Sequence, residues 1–231
     1  MANNIQDPRL ISYLYLRKSV GLLGFALPIV LILGSIFLGN CNEIQSSISD
    51  YYHTKMRDVF VGIICAIALF LFSYKGYVDD KRDNIAGTLA SFFALGVAIF
   101  PTSPDKIVPL CDVPSCNIPA VITNPFISHL HFVFATSFFL VLTYFSLFLF
   151  TKTKNIKTQT KQKKMRNSIY KICGYIMLAC IALIAIYFFL LEKSYPSLSK
   201  YDPVFWLETI ALWAFAISWL IKGELLLKDE K

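Results

Sequence analysis

Apolar residues run along this chain in long uninterrupted blocks, and charges fall in the gaps between them. The blocks cover approximately residues 20–40, 58–77, 84–101, 126–150, 169–191 and 203–221. About 20 apolar residues, wound as a helix rising 1.5 Å per residue, cross a hydrocarbon core of about 30 Å. The pattern therefore predicts an all-α, polytopic membrane bundle of six helices, forming one transmembrane domain over residues 1–231. Asp7-Pro8, Asn124-Pro125 and Asp202-Pro203 each combine a capping residue with proline at the first helical position, so helices should begin at Pro8, Pro125 and Pro203. Pro28, inside the first block, predicts a kink. The second block is short: 16 uncharged residues separate Asp58 from Lys75, or about 24 Å of helix. One flanking charge must then be drawn inward. Lys75 can snorkel on its long stem. Asp58 cannot, so it is expected just below the boundary, facing protein.

Charge sets the orientation. Alternating spans place 17 of the 22 basic residues on the side that carries both termini and the lysine-rich loop before Arg166. The opposite side holds Lys55, Arg57, Lys106, Lys193 and Lys200. By the positive-inside rule the amino and carboxyl termini are cytoplasmic. This asymmetry accounts for most of the net charge of +7, so membrane lipids are the expected partners and nucleic acid is not. A composition 56% hydrophobic and 16% charged also falls outside the usual range of soluble domains. No cleavable signal peptide is expected, because the first block is long enough to span.

Gly87, Ala90, Ala94 and Ala98 form a small-residue stripe that lets helix backbones approach closely. Packing within the chain is the expected use, and a homo-oligomer seam through this face is the alternative. Cys65, Cys173 and Cys180 lie inside blocks as small apolar groups. Cys41, Cys111 and Cys116 lie in outer loops, where a disulfide can form. Cys111 and Cys116 enclose four residues and are the expected pair, with Cys41 as competitor. The loop around them carries Pro101, Pro104, Pro109, Pro114 and Pro119, which predicts a stiff outer cap.

Candidate chemistry gathers on that outer side. His53 precedes the second span, His129 and His131 open the fourth, and Glu208 lies near the start of the sixth. Level helix starts would bring them into one polar layer with Asp58. Two readings follow. In the first, His53, His129 and His131 ligate a metal, with zinc as one candidate ion, and Asp58 or Glu208 serves as catalytic base. In the second, Arg57 forms a structural ion pair with Glu208, or with Asp58, and a histidine takes the remaining oxygen. Helical geometry sets His129 and His131 about 200° apart, which works against a full three-histidine site.

The segment SISDYYHTKMRDVFVGIICAIALFLFSYKGY, followed by NIAGTLASFFALGVAIFPTSP, resembles a family of bacterial six-helix integral membrane proteins of unknown function. The resemblance implies a bacterial cytoplasmic membrane as location and transfers no activity. A more distant likeness is to the ceramidase, adipoQ-receptor and Per1 group of membrane hydrolases. Ser49-x-x-x-His53 with Asp58 is similar to the first part of that group's zinc motif. The later pair here is His129-x-His131 rather than His-x-x-x-His, and a seventh span is missing. The leading expectation is a lipid- or small-molecule-binding membrane protein, without catalysis, whose polar pocket faces the outer leaflet. The alternatives are a metal-dependent hydrolase of lipid amides or esters, and a proton-coupled transporter.

Overall fold

In a computed structural model, residues 8–76, 80–103, 124–152 and 160–227 are described, and their regular elements are all helical, with no strand among them. The α-helices are α1 (Pro8–Phe37), α2 (Arg57–Phe72), α3 (Lys81–Ile99), α4 (Pro125–Tyr144), α5 (Lys161–Ile186), the single turn α6 (Glu192–Ser194) and α7 (Pro203–Lys222). Short 3-10 turns cover Ser49–His53 and Pro196–Tyr201. α4 and α5 each run on through a π turn, at Phe145–Leu149 and Tyr187–Leu191.

Four of the described helical stretches are long and apolar enough to cross a membrane: Tyr13–Phe37, Pro125–Leu149, Lys161–Ser194 and Pro203–Lys222. α2 and α3 are not among them. α2 has only 16 residues, the short span that Asp58 and Lys75 delimit in sequence. α3 opens on Lys81, Arg82, Asp83 and Asn84, which dilute its apolar run.

The helix starts follow local chemistry. The Asn124 side chain accepts from the Phe126 amide at 3.0 Å, and Pro125 supplies a φ already suited to the first turn. Asp80 caps α3 through the Arg82 amide, and Thr160 caps α5 through the Lys163 amide. α7 begins at Pro203 as expected, but Asp202 is left-handed at φ 47° and its side chain does not cap. The connection before α2 takes over that task, because the Phe205 amide donates to the Ser46 carbonyl at 3.0 Å. Asp7, the expected cap of α1, lies outside the described residues.

Neighbours pack in the order α1–α2–α3–α4–α5, and α7 closes the circuit between α5 and α1. α7 is the innermost helix: 67% of its apolar stretch is buried, against 22–39% for the other three candidate spans. Its Trp219 is fully buried and ringed by Tyr74, Phe145, Phe150 and Phe215 at centroid distances of 5.0–5.9 Å. The small-residue stripe is spent inside the chain. Ala90, Ala94 and Ala98 are buried, and a Cβ on Gly87 would stand 2.7 Å from the Leu71 carbonyl oxygen of α2. The stripe weighed as a homo-oligomer seam is thus buried within the chain, with Gly87 against α2.

Candidate functional site

Polar side chains collect at the two ends of the bundle. One end, named here for its histidines, joins the Ser46–Thr54 connection to residues 100–103 and to the starts of α4 and α7. The other carries Arg17 of α1, the starts of α3 and α5, Lys152 after α4 and the end of α7, and its described charges are mostly basic.

At the histidine end, His53 Nε2 donates to the Thr102 carbonyl at 2.9 Å, and His131 Nδ1 donates to the Phe100 carbonyl at 2.6 Å. A carbonyl only accepts, so each contact places the proton on the named nitrogen. In the neutral ring the lone pair then belongs to His53 Nδ1 and His131 Nε2. Both residues are buried, and each lies within electrostatic reach of the other. The Thr102 hydroxyl donates to Asp50 Oδ1 at 2.9 Å, and the Ser103 amide donates to Ser128 Oγ at 3.0 Å. Residues 100–103 are thereby pinned to the Ser49–His53 turn and to α4. Tyr51 sits within this turn, fully buried, and burial pushes its phenol up to about 12.

Glu208 is part of the same end and does something the sequence did not suggest. Its Oε2 accepts from the Ile48 amide at 2.7 Å, one turn below the place where the Phe205 amide donates to Ser46. Two opposed bonds thus clamp the connection onto the head of α7. Each satisfies a backbone group that would otherwise be stranded.

Several expectations about this layer are corrected. Asp58 is exposed rather than turned into the protein. α2 buries Phe60, Ile64, Ile67, Ala68 and Leu71, and Asp58, two residues before Phe60, falls about 200° around the helix from it. Arg57 and Glu208 form no ion pair. The Arg57 Nε donates to the Tyr52 carbonyl at 2.8 Å, with the guanidinium 4.9 Å from the Tyr52 ring centroid. His129 is exposed and bonds back to the Pro125 carbonyl of its own helix at 2.6 Å. It therefore does not join His53 and His131. Among the described residues no group of three His, Cys, Asp or Glu side chains is close enough to hold a metal ion. The expected Cys111–Cys116 link lies outside the described residues. Its competitor, Cys41, is disulfide-bonded, while Cys65, Cys173 and Cys180 are free.

The basic end holds a latch of a different kind. Lys152 Nζ stands 2.7 Å from Asp83 Oδ2 and 2.8 Å from Asp80 Oδ2, and the Tyr74 hydroxyl donates to Asp83 Oδ1 at 3.4 Å. Arg82 binds the same Asp80 at 2.9 Å. The hydrogen bonds from Arg82 and Lys152 hold the Asp80 carboxyl well below the usual carboxylate range. Asp83 is 2% exposed, so this group ties α2, α3 and the end of α4 through a buried carboxylate. In sequence Lys152 reads only as one more loop lysine. The signal available was Asp83, an acid at the mouth of an apolar block.

Beside this latch a groove of about 330 Å³ opens between α3 and α4. Its walls are Ile85, Ala86, Leu89, Leu140, Val141 and Tyr144, with Arg82 at one end. Ile85, Leu89 and Leu140 are substantially exposed, so the groove faces whatever surrounds the bundle. It lies at the opposite end from the expected pocket.

No family model, curated protein or solved structure matches this chain.

Proposed function

We propose that this chain is a multi-pass protein of a bacterial cytoplasmic membrane, with six membrane helices and both termini inside, that binds a lipid without cleaving it. The observation that carries the reading is the α3–α4 groove, whose apolar walls end at a guanidinium. An acyl chain fits the walls, and an acidic or zwitterionic headgroup would meet Arg82 at the mouth. Arg82 already shares Asp80 with Lys152, so it is held in place at the rim. In this reading α2 and α3 span beside their longer neighbours as a paired short hairpin, with Lys75 and Arg82 reaching the headgroup level.

The alternatives draw no specific support from the geometry. A metal-dependent hydrolase needs three ligands together, and His129 faces away from His53 and His131. A proton-coupled transporter would rely on Glu208, which is occupied in clamping the Ile48 amide.

The test is lipid retention. Protein purified in mild detergent should carry phospholipid through extended washing, detected by native mass spectrometry. Leu89→Trp or Leu140→Trp, which fill the groove from its exposed walls, should release that lipid and leave the fold intact. Retention unchanged in both variants would remove the groove from the account.

A further inference from the structure

The rim of the α3–α4 groove is chemically more specific than its walls. Arg82 binds Asp80 along one edge of its guanidinium: Nε donates to Asp80 Oδ1 at 3.0 Å and Nη2 to Oδ2 at 2.9 Å. A planar guanidinium carries five N–H donors in a fixed fork, so this contact leaves the Nη1–Nη2 edge for a second acceptor. The Arg82 side chain is 67% exposed, and it borders the groove. An anionic oxygen can therefore reach it from outside the bundle without breaking the Asp80 contact.

Charge balance at the rim limits what carries that oxygen. Among the described residues the latch sets two carboxylates, Asp80 and Asp83, against two cations, Arg82 and Lys152. A phosphate alone would add a negative charge to a balanced group, beside the Asp80 carboxylate. Lys81, which precedes Arg82, is exposed, and an exposed charge is largely screened by salt. A headgroup that brings its own cation keeps the balance. The α4 wall offers a place for that cation. Tyr144 lines the groove and lies within electrostatic reach of Arg82. Its ring stands 5.3 Å from that of Phe148, one turn on, and both residues are exposed. A ring face attracts an ammonium placed within about 6 Å of its centroid.

On the reading that the groove holds lipid, we infer that its ligand is a zwitterionic phospholipid. The phosphate meets the Nη1–Nη2 edge of Arg82, where two parallel N–H donors suit its oxygens. The headgroup ammonium lies over the Tyr144 ring, and an acyl chain runs along Ile85, Leu89 and Leu140. A headgroup with a phosphate and no ammonium makes the first contact and not the second.

The test is a competition between headgroups. The delipidated full chain in mild detergent is given equal amounts of phosphatidylcholine and phosphatidylglycerol with identical acyl chains, and native mass spectrometry reads the bound ratio. Phosphatidylcholine should predominate. Tyr144→Leu keeps an apolar wall but removes the ring, and should lower the ratio about two- to fivefold, the worth of one exposed cation–π contact. Tyr144→Phe keeps the ring and should keep the ratio. An equal ratio or an excess of phosphatidylglycerol in the unaltered protein overturns the headgroup inference, and so does a ratio that Tyr144→Leu does not move. In either case, lipid binding that Leu89→Trp still blocks leaves the groove standing. If the unaltered protein binds neither lipid, or Leu89→Trp does not reduce binding, the groove reading itself falls and the inference falls with it.

Discussion

Glu208 accepts one short hydrogen bond, from the Ile48 amide at 2.7 Å, and has no cation against it among the described residues. Removing one partner of a buried ion pair typically costs about 3–5 kcal/mol. Here Glu208→Ala strands a backbone donor instead, for which the expected loss is about 1–3 kcal/mol. Glu208→Gln keeps a carbonyl acceptor and should lose clearly less, as read by denaturation of the purified protein in detergent. Tyr51 supplies a pH dependence. Its phenol is pushed up to about 12 in the folded chain, whereas an unfolded tyrosine titrates near 10. Between those values the unfolded state has lost a proton that the folded state keeps, so stability should fall as pH rises from about 10 toward about 12. Below that window Tyr51 contributes no slope. Tyr51→Phe should flatten the alkaline decline, measured as the difference between the two proteins' melting temperatures across that range.

At the scale of elements, close backbone approach fixes α3 against α2. A Cβ at Gly87 would sit 2.7 Å from the Leu71 carbonyl oxygen, and a backbone atom cannot swing aside as a side chain can. Gly87→Ala should therefore destabilise the protein by about 1–3 kcal/mol through overpacking. Gly62, with nothing within 4 Å of its would-be Cβ, should instead gain from alanine, by about 0.5–1 kcal/mol of helix propensity. A melting comparison of the two variants checks both signs. The elements were also the most legible part of the sequence. Asn124-Pro125 and Pro203 mark helix starts through local chemistry alone, and the gap between Asp58 and Lys75 foretold a short α2. What could not be read was the partner across the fold. Lys152 is 69 residues from Asp83, and Ile48 is 160 residues from Glu208, so nothing local links either pair. Asp58 was misjudged for another reason: depth along a helix follows from counting, but its facing depends on which residues the neighbours bury. His129 and His131 show the same limit. Their near-opposite directions were legible, while the choice of His131 as the inward one waited on the Phe100 carbonyl.

The whole molecule has two unlike ends. Backbone clamps and histidine bonds to carbonyls pin one end, and the pairing of Lys152 with Asp83 and Asp80 marks the other. The alternating chain path that produces this polarity also underlies the proposed orientation, with the basic end in the cytoplasm. That orientation, together with insertion in a membrane at all, is the claim on which the lipid groove rests. It is tested most directly by labelling single introduced cysteines with a membrane-impermeant thiol reagent, in a background where all 6 native cysteines are replaced. Lys161→Cys, exposed at the start of α5, and Lys193→Cys, exposed in α6, sample the two ends. The account predicts that intact cells label Lys193→Cys and spare Lys161→Cys, and that both react after lysis. Efficient labelling of Lys161→Cys in intact cells would contradict it.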